Sequence, residues 1–174
     1  MTGKTFLRAV SNGKTDILQM FLGILRETGA PYCIVGGLAV NAYAEPVVSL
    51  DVDLVVLAGE LEKVCQAAMA KGLKVEPSEH SVNLSRPDSD LRIQLQTDAR
   101  YQGILCRAEK HTVLGYELMV AAVGDVLHGK IWAYSDVRRR KSKRQKDLAD
   151  ILRLVETHPQ LKSWLPPKLL AHVD

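Results

Sequence analysis

Two aspartates, Asp51 and Asp53, stand two residues apart within the largely apolar segment 49–57, SLDVDLVVL. Side chains at this spacing lie on one face of a β-strand, so both carboxylates are expected to point the same way. Neighbouring carboxylates repel each other unless a cation neutralises them. Mg²⁺ (or Mn²⁺) suits such a pair, because it takes one or two carboxylates and completes its shell with water and substrate phosphates. The spacing therefore predicts that Asp51 and Asp53 hold a metal ion and a nucleotide.

A glycine pair, Gly36-Gly37, supplies a second feature of phosphate chemistry. It follows the apolar run Tyr32–Val35, which is typical of a short buried strand, and it precedes the helix-compatible segment 38–43. Glycine allows close approach of the backbone, and the N-terminus of a helix favours negative charge. We therefore expect Gly36 and Gly37 to hold nucleotide phosphates.

Apolar periodicity predicts the elements that must position these residues. The predicted helices run from the cap Thr15-Asp16 to Gly29, cover residues 60–71, and carry apolar stripes at Val126, Leu127, Ile131 and Tyr134 and at Leu148, Ile151, Leu152 and Val155. The predicted strands, besides those above, are a hairpin of residues 80–86 and 91–97 and an extended pair within residues 104–123.

These elements predict an α/β (α+β) fold, with a small, mixed, mostly antiparallel sheet flanked by helices and a C-terminal helical pair. A chain of 174 residues with 47% hydrophobic residues is typical of one soluble domain. We expect a single domain, in which residues 1–123 form the core and residues 124–174 form helices packed on it.

Several classes of protein find no support in the sequence. Cys33, Cys65 and Cys106 are widely spaced and form no C-x-x-C pair, which argues against a disulfide framework or zinc ribbon and predicts a cytoplasmic protein. No apolar stretch approaches the ~20 residues of a membrane-spanning helix, so no membrane association is expected. The motif spacings of P-loop ATPases, dinucleotide-binding folds, zinc hydrolases and serine hydrolases are also missing.

Positive charge is concentrated in one segment. The net charge is only +3, but residues 138–146 (RRRKSKRQK, from Arg138 to Lys146) hold seven of the 23 basic residues. We call them the basic segment and expect it to join the last two predicted helices. Clustered charge attracts polyanions, so the segment is either a solvated helix junction or a contact for the phosphate backbone of RNA.

The glycine pair and the aspartates together resemble a known signature. Gly36-Gly37-Leu-Ala-Val-Asn41, followed after nine residues by Asp51-Val-Asp53, is similar to the motif of the polymerase-beta-like nucleotidyltransferase-fold superfamily. More narrowly, most of the chain resembles the AbiEii/AbiGii nucleotidyltransferase toxin family. The segments GKIWAYSDVRRR and KRQKDLADILRL resemble that family's lysine-bearing and acidic helices. The resemblance implies that Lys130 and Asp147 are catalytic, with Arg144 and Asp150 as further site residues.

Two departures from the family pattern bear on activity. Val47 and Ser49 stand where that pattern has an arginine and a threonine, which leaves Ser49 as the candidate for nucleotide contact. The family's third carboxylate aligns with Gln94, and a neutral amide binds magnesium poorly compared with a carboxylate. Asp98 follows on the same face of the predicted strand, ~13 Å along it, so it could replace that carboxylate only through a bulge or bend.

The resemblance implies a magnesium-dependent transfer of a nucleoside monophosphate from a nucleoside triphosphate to a hydroxyl acceptor, such as RNA or transfer RNA. Asp51 and Asp53 would place the metal, Lys130 would neutralise phosphate charge, and Asp147 or Asp150 would activate the acceptor hydroxyl. The implied biological role is the toxin of a toxin–antitoxin pair, with an antitoxin protein as partner. A binding module of the same fold, without catalysis, is the alternative, and a structural or regulatory role is a third.

Plainer interpretations of the same residues remain open. Asp147 and Asp150 have the helical spacing to pair with Lys143, Arg144 and Lys146 on an exposed face. The plainer interpretation of Lys130 is an ordinary lysine exposed to solvent on a helix. With nine aromatic residues in the chain, the sequence does not predict a platform for stacking nucleobases.

Overall fold

Seven strands form one mixed sheet at the centre of the molecule, in a computed structural model that describes residues 3–173. The strands are β1 Tyr32–Val35, β2 Asp51–Val56, β3 Lys74–Pro77, β4 Ser81–Arg86, β5 Ser89–Gln96, β6 Glu109–Val113 and β7 Tyr116–Val120. Their order is β3-β4-β5-β2-β1-β7-β6. The β2/β5 and β1/β7 pairs are parallel and the other four are antiparallel, which confirms the predicted mixed, mostly antiparallel sheet.

Helices flank this sheet. They are α1 Gly3–Val10, α2 Ile17–Thr28, α3 Gly36–Val40, α4 Leu61–Ala70, α5 Val123–Ser135, α6 Lys141–Thr157 and α7 Pro167–Leu170, with 3₁₀ segments at Ala58–Glu60, Ala99–Arg107 and Pro159–Trp164. Buried apolar side chains from helices and sheet form one continuous core. The predicted α/β fold with a C-terminal helical pair is confirmed. Within residues 3–173, no helix is long and apolar enough to cross a bilayer.

The first long helix shows how local sequence signals fix an element. The Asp16 side chain caps α2 by accepting a hydrogen bond from the Gln19 backbone N–H at 2.9 Å. Gly29 ends the helix in the left-handed conformation, with φ of 67°. The apolar stripe that includes Phe21 and Ile24 is buried, as its spacing predicts.

Three expectations about elements need correction. The extended pair within residues 104–123 is shorter, because the 3₁₀ segment occupies its beginning and the hairpin turns at Leu114 and Gly115, both with positive φ. The basic segment is not a linker throughout, since α6 begins at Lys141. Strand β3 lies at the sheet edge and buries no side chain, so apolar alternation gave no signal for it.

Candidate functional site

The central strand β2 carries Asp51 and Asp53 into a cavity of about 400 Å³. Val52 and Leu54 point into the core, so strand alternation turns the two aspartates together toward the opposite side. The cavity is lined by eight residues singled out from the sequence: Gly36, Gly37, Ser49, Asp51, Asp53, Gln94, Lys130 and Asp147. The fold therefore brings together residues more than 100 positions apart.

Gly36 packs against one of the two carboxylates. It has a φ of +66°, and a Cβ atom built on it lies 2.5 Å from Asp53 Oδ2. Both the backbone conformation and the available space therefore exclude a side chain. At Gly37, by contrast, a built Cβ meets nothing within 4 Å. Gly36 lets the first turn of α3 approach Asp53, whereas Gly37 leaves open space beside the cavity.

Asp53 lines the cavity and is partly buried. Gln96 Nε2 donates a hydrogen bond to its Oδ1 at 3.0 Å. The loss of hydration raises the pKa of Asp53, the positive charge of Lys130 opposes that shift, and the negative charge of Asp51 adds to it. Alternation along β5 puts Gln96 on the same face as Gln94, and the pairing of β5 with β2 brings it to Asp53.

Asp51 is flanked by two cations. Arg92 Nη2 lies 2.9 Å from Asp51 Oδ1, and Lys143 Nζ lies 3.4 Å from Oδ2. Arg92 makes an ion pair there rather than a well-aligned hydrogen bond, since Oδ1 is buried and has no hydrogen-bond partner. Arg92 stands opposite Asp51 in the β2/β5 register, so knowledge of that register would have been needed to find it.

Lys130 and two aspartates of α6 form a buried ion network. Lys130 Nζ lies 3.1 Å from Asp147 Oδ1 and 2.7 Å from Asp150 Oδ2. Arg139 Nε lies 2.6 Å from Asp147 Oδ2, and Arg153 Nη1 lies 2.6 Å from Asp150 Oδ1.

The exposed pairing considered for Asp147 and Asp150 is therefore wrong. Both aspartates and Lys130 are less than 10% exposed. Asp150 lies beneath Lys130 and does not line the cavity. Separating α5 from α6 would leave these buried charges unpaired, which is costly. The network therefore holds the two helices together and fixes the wall of the cavity.

Two other residues singled out from the sequence do not reach the cavity. Strand β5 ends at Gln96, and Asp98 caps the following 3₁₀ segment by accepting from the Arg100 backbone N–H at 2.9 Å. Arg100 also lowers the pKa of Asp98 through side-chain hydrogen bonds. Arg144 turns the other way, where its Nε donates to the Tyr134 carbonyl oxygen at 2.6 Å. Asp98 therefore does not replace the third carboxylate that the resemblance implies, because β2 and β5 pair in regular register from Asp51–Arg92 to Leu54–Leu95 and β5 ends before Asp98.

Gln94 lines the cavity directly opposite Asp53 in the β2/β5 register. In the described part of the chain, no group of three or more His, Cys, Asp or Glu side chains is arranged to hold a metal. Two carboxylates still fit Mg²⁺, which fills the rest of its shell with water and phosphate oxygens. Burial raises the pKa of Asp53, and a bound cation would oppose that shift by favouring the charged form.

Cations surround the mouth of the same cavity. Arg92 and four members of the basic segment, Arg139, Arg140, Lys143 and Lys146, line it together with the aspartates. Four of the seven basic residues of the basic segment thus line the cavity, whereas Arg138, Lys141 and Arg144 do not. A cavity with paired carboxylates, a glycine turn and several cations can accommodate a metal ion with a chain of phosphates.

Among comparisons with known proteins, only the comparison with solved structures finds matches. No protein-family model matches the sequence, and no curated protein sequence matches it. The solved structure of the antibiotic-resistance factor ANT(2'')-Ia matches with a TM-score of 0.58 and 13% identity, over 90% of this chain and 86% of that one. The lincosamide antibiotic adenylyltransferase LnuA matches with a TM-score of 0.56 and 12% identity, over 80% and 98% of the two chains.

A third match is an antigenic nucleotidyltransferase-like protein from Paracoccidioides brasiliensis, with a TM-score of 0.54 and 19% identity over 86% of this chain and 75% of that one. The chain has the nucleotidyltransferase fold. The resemblance first seen in Gly36-Gly37 and Asp51-Val-Asp53 is confirmed at this level. The narrower similarity to the AbiEii/AbiGii family stays a prediction.

Proposed function

We propose that this nucleotidyltransferase-fold protein transfers a nucleoside monophosphate from a nucleoside triphosphate to a hydroxyl acceptor. The observation that carries the proposal is the convergence of Asp51, Asp53, the Gly36-Gly37 turn and a cationic rim on one cavity. In the reaction, the acceptor oxygen bonds to the α-phosphorus, the bond from that phosphorus to the oxygen of the β-phosphate breaks, and pyrophosphate leaves. The proton of the hydroxyl passes to solvent.

Asp51 and Asp53 are the residues that would hold a divalent cation. When bound, Mg²⁺ or Mn²⁺ supplies charge stabilisation for the phosphates. Asp51, whose buried Oδ1 lacks a hydrogen-bond partner, and Asp53 would hold the cation, and its positive charge would favour the ionised form of Asp53. Arg92 and Lys143 contact Asp51 and line the same cavity, so both would pair with the triphosphate there.

The remaining residues have binding and positioning roles. Arg139, Arg140 and Lys146 place positive charge where phosphates enter, while Gly37 and Ser49 border the same space. Lys130 is already paired with Asp147 and Asp150, so we assign it to holding the cavity wall. Asp147 is itself bound by Lys130 and Arg139, which makes it a positioning residue for Arg139.

The alternative is a nucleotide-binding or RNA-binding module of the same fold that lacks catalysis. A specific observation favours it. Gln94 occupies the position opposite Asp53 and cannot accept a proton or supply a negative charge. Transfer at an appreciable rate would decide for the enzyme, and tight nucleotide binding without transfer would decide for the binding module.

The deciding experiment incubates the protein with each labelled nucleoside triphosphate, Mg²⁺ or Mn²⁺, and a panel of acceptors. The panel contains pooled small RNAs, lincomycin and tobramycin, since two structural neighbours bind such antibiotics or their adenylyl derivatives. Asp51→Asn/Asp53→Asn is expected to abolish transfer. Asp98→Asn is the matched control, because Asp98 lies outside the cavity and an asparagine also caps helices. Transfer that survives the double substitution would overturn the proposal.

The toxin role and the cytoplasmic location are further parts of the proposal. They rest on the resemblance to AbiEii/AbiGii toxins and on Cys33, Cys65 and Cys106, which form no disulfides. Controlled expression in a bacterium should arrest growth, and Asp51→Asn should relieve the arrest. Undiminished growth with the soluble wild-type protein present would contradict the toxin role. A neighbouring gene whose product restores growth would identify the antitoxin.

A further inference from the structure

One buried side chain fixes the course of the loop between α3 and β2. Residues 41–50 join these two elements, and we call them the connecting loop. Asn41 is 9% exposed, and its Nδ2 donates a hydrogen bond to the Val47 carbonyl oxygen at 2.8 Å. Its Oδ1 accepts from the Val47 backbone N–H at 2.9 Å. A buried amide that bonds both backbone groups of one residue holds the loop at that residue.

Arg153 joins the connecting loop to the buried ion network of α5 and α6. Its Nη2 donates to Asn41 Oδ1 at 3.1 Å and to the Glu45 carbonyl oxygen. Its Nη1 donates to Asp150 Oδ1 at 2.6 Å, and Asp150 Oδ2 lies 2.7 Å from Lys130 Nζ. Polar contacts therefore run without a break from Lys130 in the cavity wall to Asn41 in the loop.

The other end of the connecting loop enters the candidate site. Ser49 lines the cavity, and its Oγ accepts from the Asp51 backbone N–H at 3.3 Å. The sheet holds Asp51, because Asp51 pairs with Arg92 in the β2/β5 register. Ser49 precedes the strand and follows Val47 by two residues. The position of Ser49 in the cavity therefore depends on the loop more than on the sheet.

We propose that Arg153 is a positioning residue for nucleotide binding, which holds the connecting loop through Asn41 so that the Ser49 hydroxyl faces the triphosphate. This proposal rests on the proposed function and adds to it a residue that does not line the cavity. A guanidinium suits the role because its nitrogens bond separate partners in a fixed plane, which the single ammonium group of a lysine cannot do. Misplacement of a group by about 1 Å can lower a reaction rate about a hundredfold, so a residue outside the cavity can control the site.

Arg153→Lys separates the positioning role from the charge. A lysine can keep the ion pair with Asp150 but cannot bond Asn41 and Glu45 at the same time, so the protein should stay folded while the loop loses its anchor. The probe is whichever of ATP, GTP, CTP and UTP binds the wild type most tightly in the presence of Mg²⁺. We expect about tenfold weaker binding by calorimetry, because a hydrogen bond to a charged group contributes about that factor.

Arg86→Lys is the matched control. The side chains of Arg86 and Arg153 are 27% and 20% exposed, and each pairs with an aspartate, but Arg86 lies at the end of β4 and outside the cavity. Its variant should bind the triphosphate as the wild type does, and urea unfolding checks that both variants are folded. Equal losses of affinity in the two variants would overturn the proposal.

A double-mutant cycle with Ser49 distinguishes positioning from a purely structural role. Ser49→Ala alone should weaken triphosphate binding about tenfold. If Arg153 acts by placing Ser49, Arg153→Lys should add less than about a twofold loss in the Ser49→Ala background, whereas independent effects would multiply to about a hundredfold. Asn41→Asp tests the same coupling from the loop, because it keeps the acceptor oxygens and removes the donation to Val47. This variant decides the question if Arg153→Lys does not fold.

The outcomes separate this proposal from the proposed function. A wild-type protein that binds none of the four triphosphates and transfers no label would refute the proposed function. Triphosphate binding by the wild type with losses that multiply would refute only the positioning role. Unchanged affinity in both Arg153→Lys and Asn41→Asp would refute it as well.

Discussion

Gln94 lies directly opposite Asp53 in the parallel pairing of β2 with β5. The pairing places a neutral amide where the resemblance to nucleotidyltransferases implies a third carboxylate. Asp51, Asp53 and Gln94 line a common cavity with five cations from β5 and the basic segment, and Asp125 and Asp147 also line it. The surroundings of the aspartates are therefore more positive than a three-carboxylate site would be, which favours binding of a triphosphate over rapid removal of a proton.

Restoring the acid should raise the transfer rate. We expect Gln94→Glu to increase the rate about tenfold or more, because a positioned general base contributes about 10²–10⁴. The measurement is label transfer from the nucleoside triphosphate under single-turnover conditions. Gln94→Met is the control, which has a similar volume and no charge and should not raise the rate. A slower Gln94→Glu enzyme would show that the amide is the functional group.

Substitution of Gly36 should damage the site beyond its effect on the backbone. Gly36 and Gly29 have almost the same positive φ, 66° and 67°, so an alanine is strained at either position by about 1–2 kcal/mol. Only Gly36 faces a carboxylate, because a Cβ atom at Gly29 meets nothing within 4 Å. Gly36→Ala should therefore lose nucleotide binding by calorimetry, while Gly29→Ala loses only stability. Equal nucleotide affinities in the two variants would contradict the contact with Asp53.

Much of this site was predictable from sequence because it depends on local pattern. Alternation in residues 49–57 put Asp51 and Asp53 on one face, and a glycine pair between strand and helix marked the turn beside them. Alternation also placed Gln94 and Gln96 on the polar face of β5. The core of the fold followed from the same periodicities, as α2 and β1 show.

The contacts that the sequence did not predict are tertiary. Lys130 and Asp147 are 17 residues apart, and only the packing of α5 on α6 makes them a buried pair instead of exposed charges. The two tryptophans are 32 positions apart, and both stack on His128 because the 3₁₀ segment Pro159–Trp164 folds back against α5. The number of aromatic residues does not predict that Tyr101, Trp132, His128 and Trp164 contact one another in the fold. Composition gives the number of charged and aromatic residues, whereas binding depends on which of their side chains the fold brings close together.

The buried network should make Lys130 important for stability. Lys130→Met removes the shared partner of Asp147 and Asp150, and breaking a buried pair in this way costs about 3–5 kcal/mol. Lys110→Met is the matched control, because Lys110 pairs with Glu117 at 3.2 Å on the surface and should cost less than about 1 kcal/mol. Urea unfolding of the two variants provides the comparison. If the free energies of unfolding of the two variants differ by less than about 1 kcal/mol, the network contributes little to the stability of the fold.

Cation binding should depend on pH through Asp53. Because its pKa is raised in the folded protein, the folded state binds a proton there more tightly than the unfolded state does. This contribution to stability is complete below the ordinary aspartate pKa of about 3.9 and disappears as the pH rises through the raised value. A divalent cation competes with that proton, so the rise in Tm caused by MgCl₂ should grow with pH over the same window.

Asp53→Asn provides the control for this pH dependence. The amide has no proton to exchange, so the variant should lose both the acid-side stabilisation from Asp53 and the growth of the Mg²⁺ effect with pH. The measurement is thermal unfolding of both proteins across a pH series, with and without MgCl₂. CaCl₂ at matched ionic strength separates specific binding from screening, because Ca²⁺ prefers a larger set of oxygen ligands than two carboxylates provide. An identical Mg²⁺ effect in wild type and variant at every pH would show that Asp53 is not a ligand.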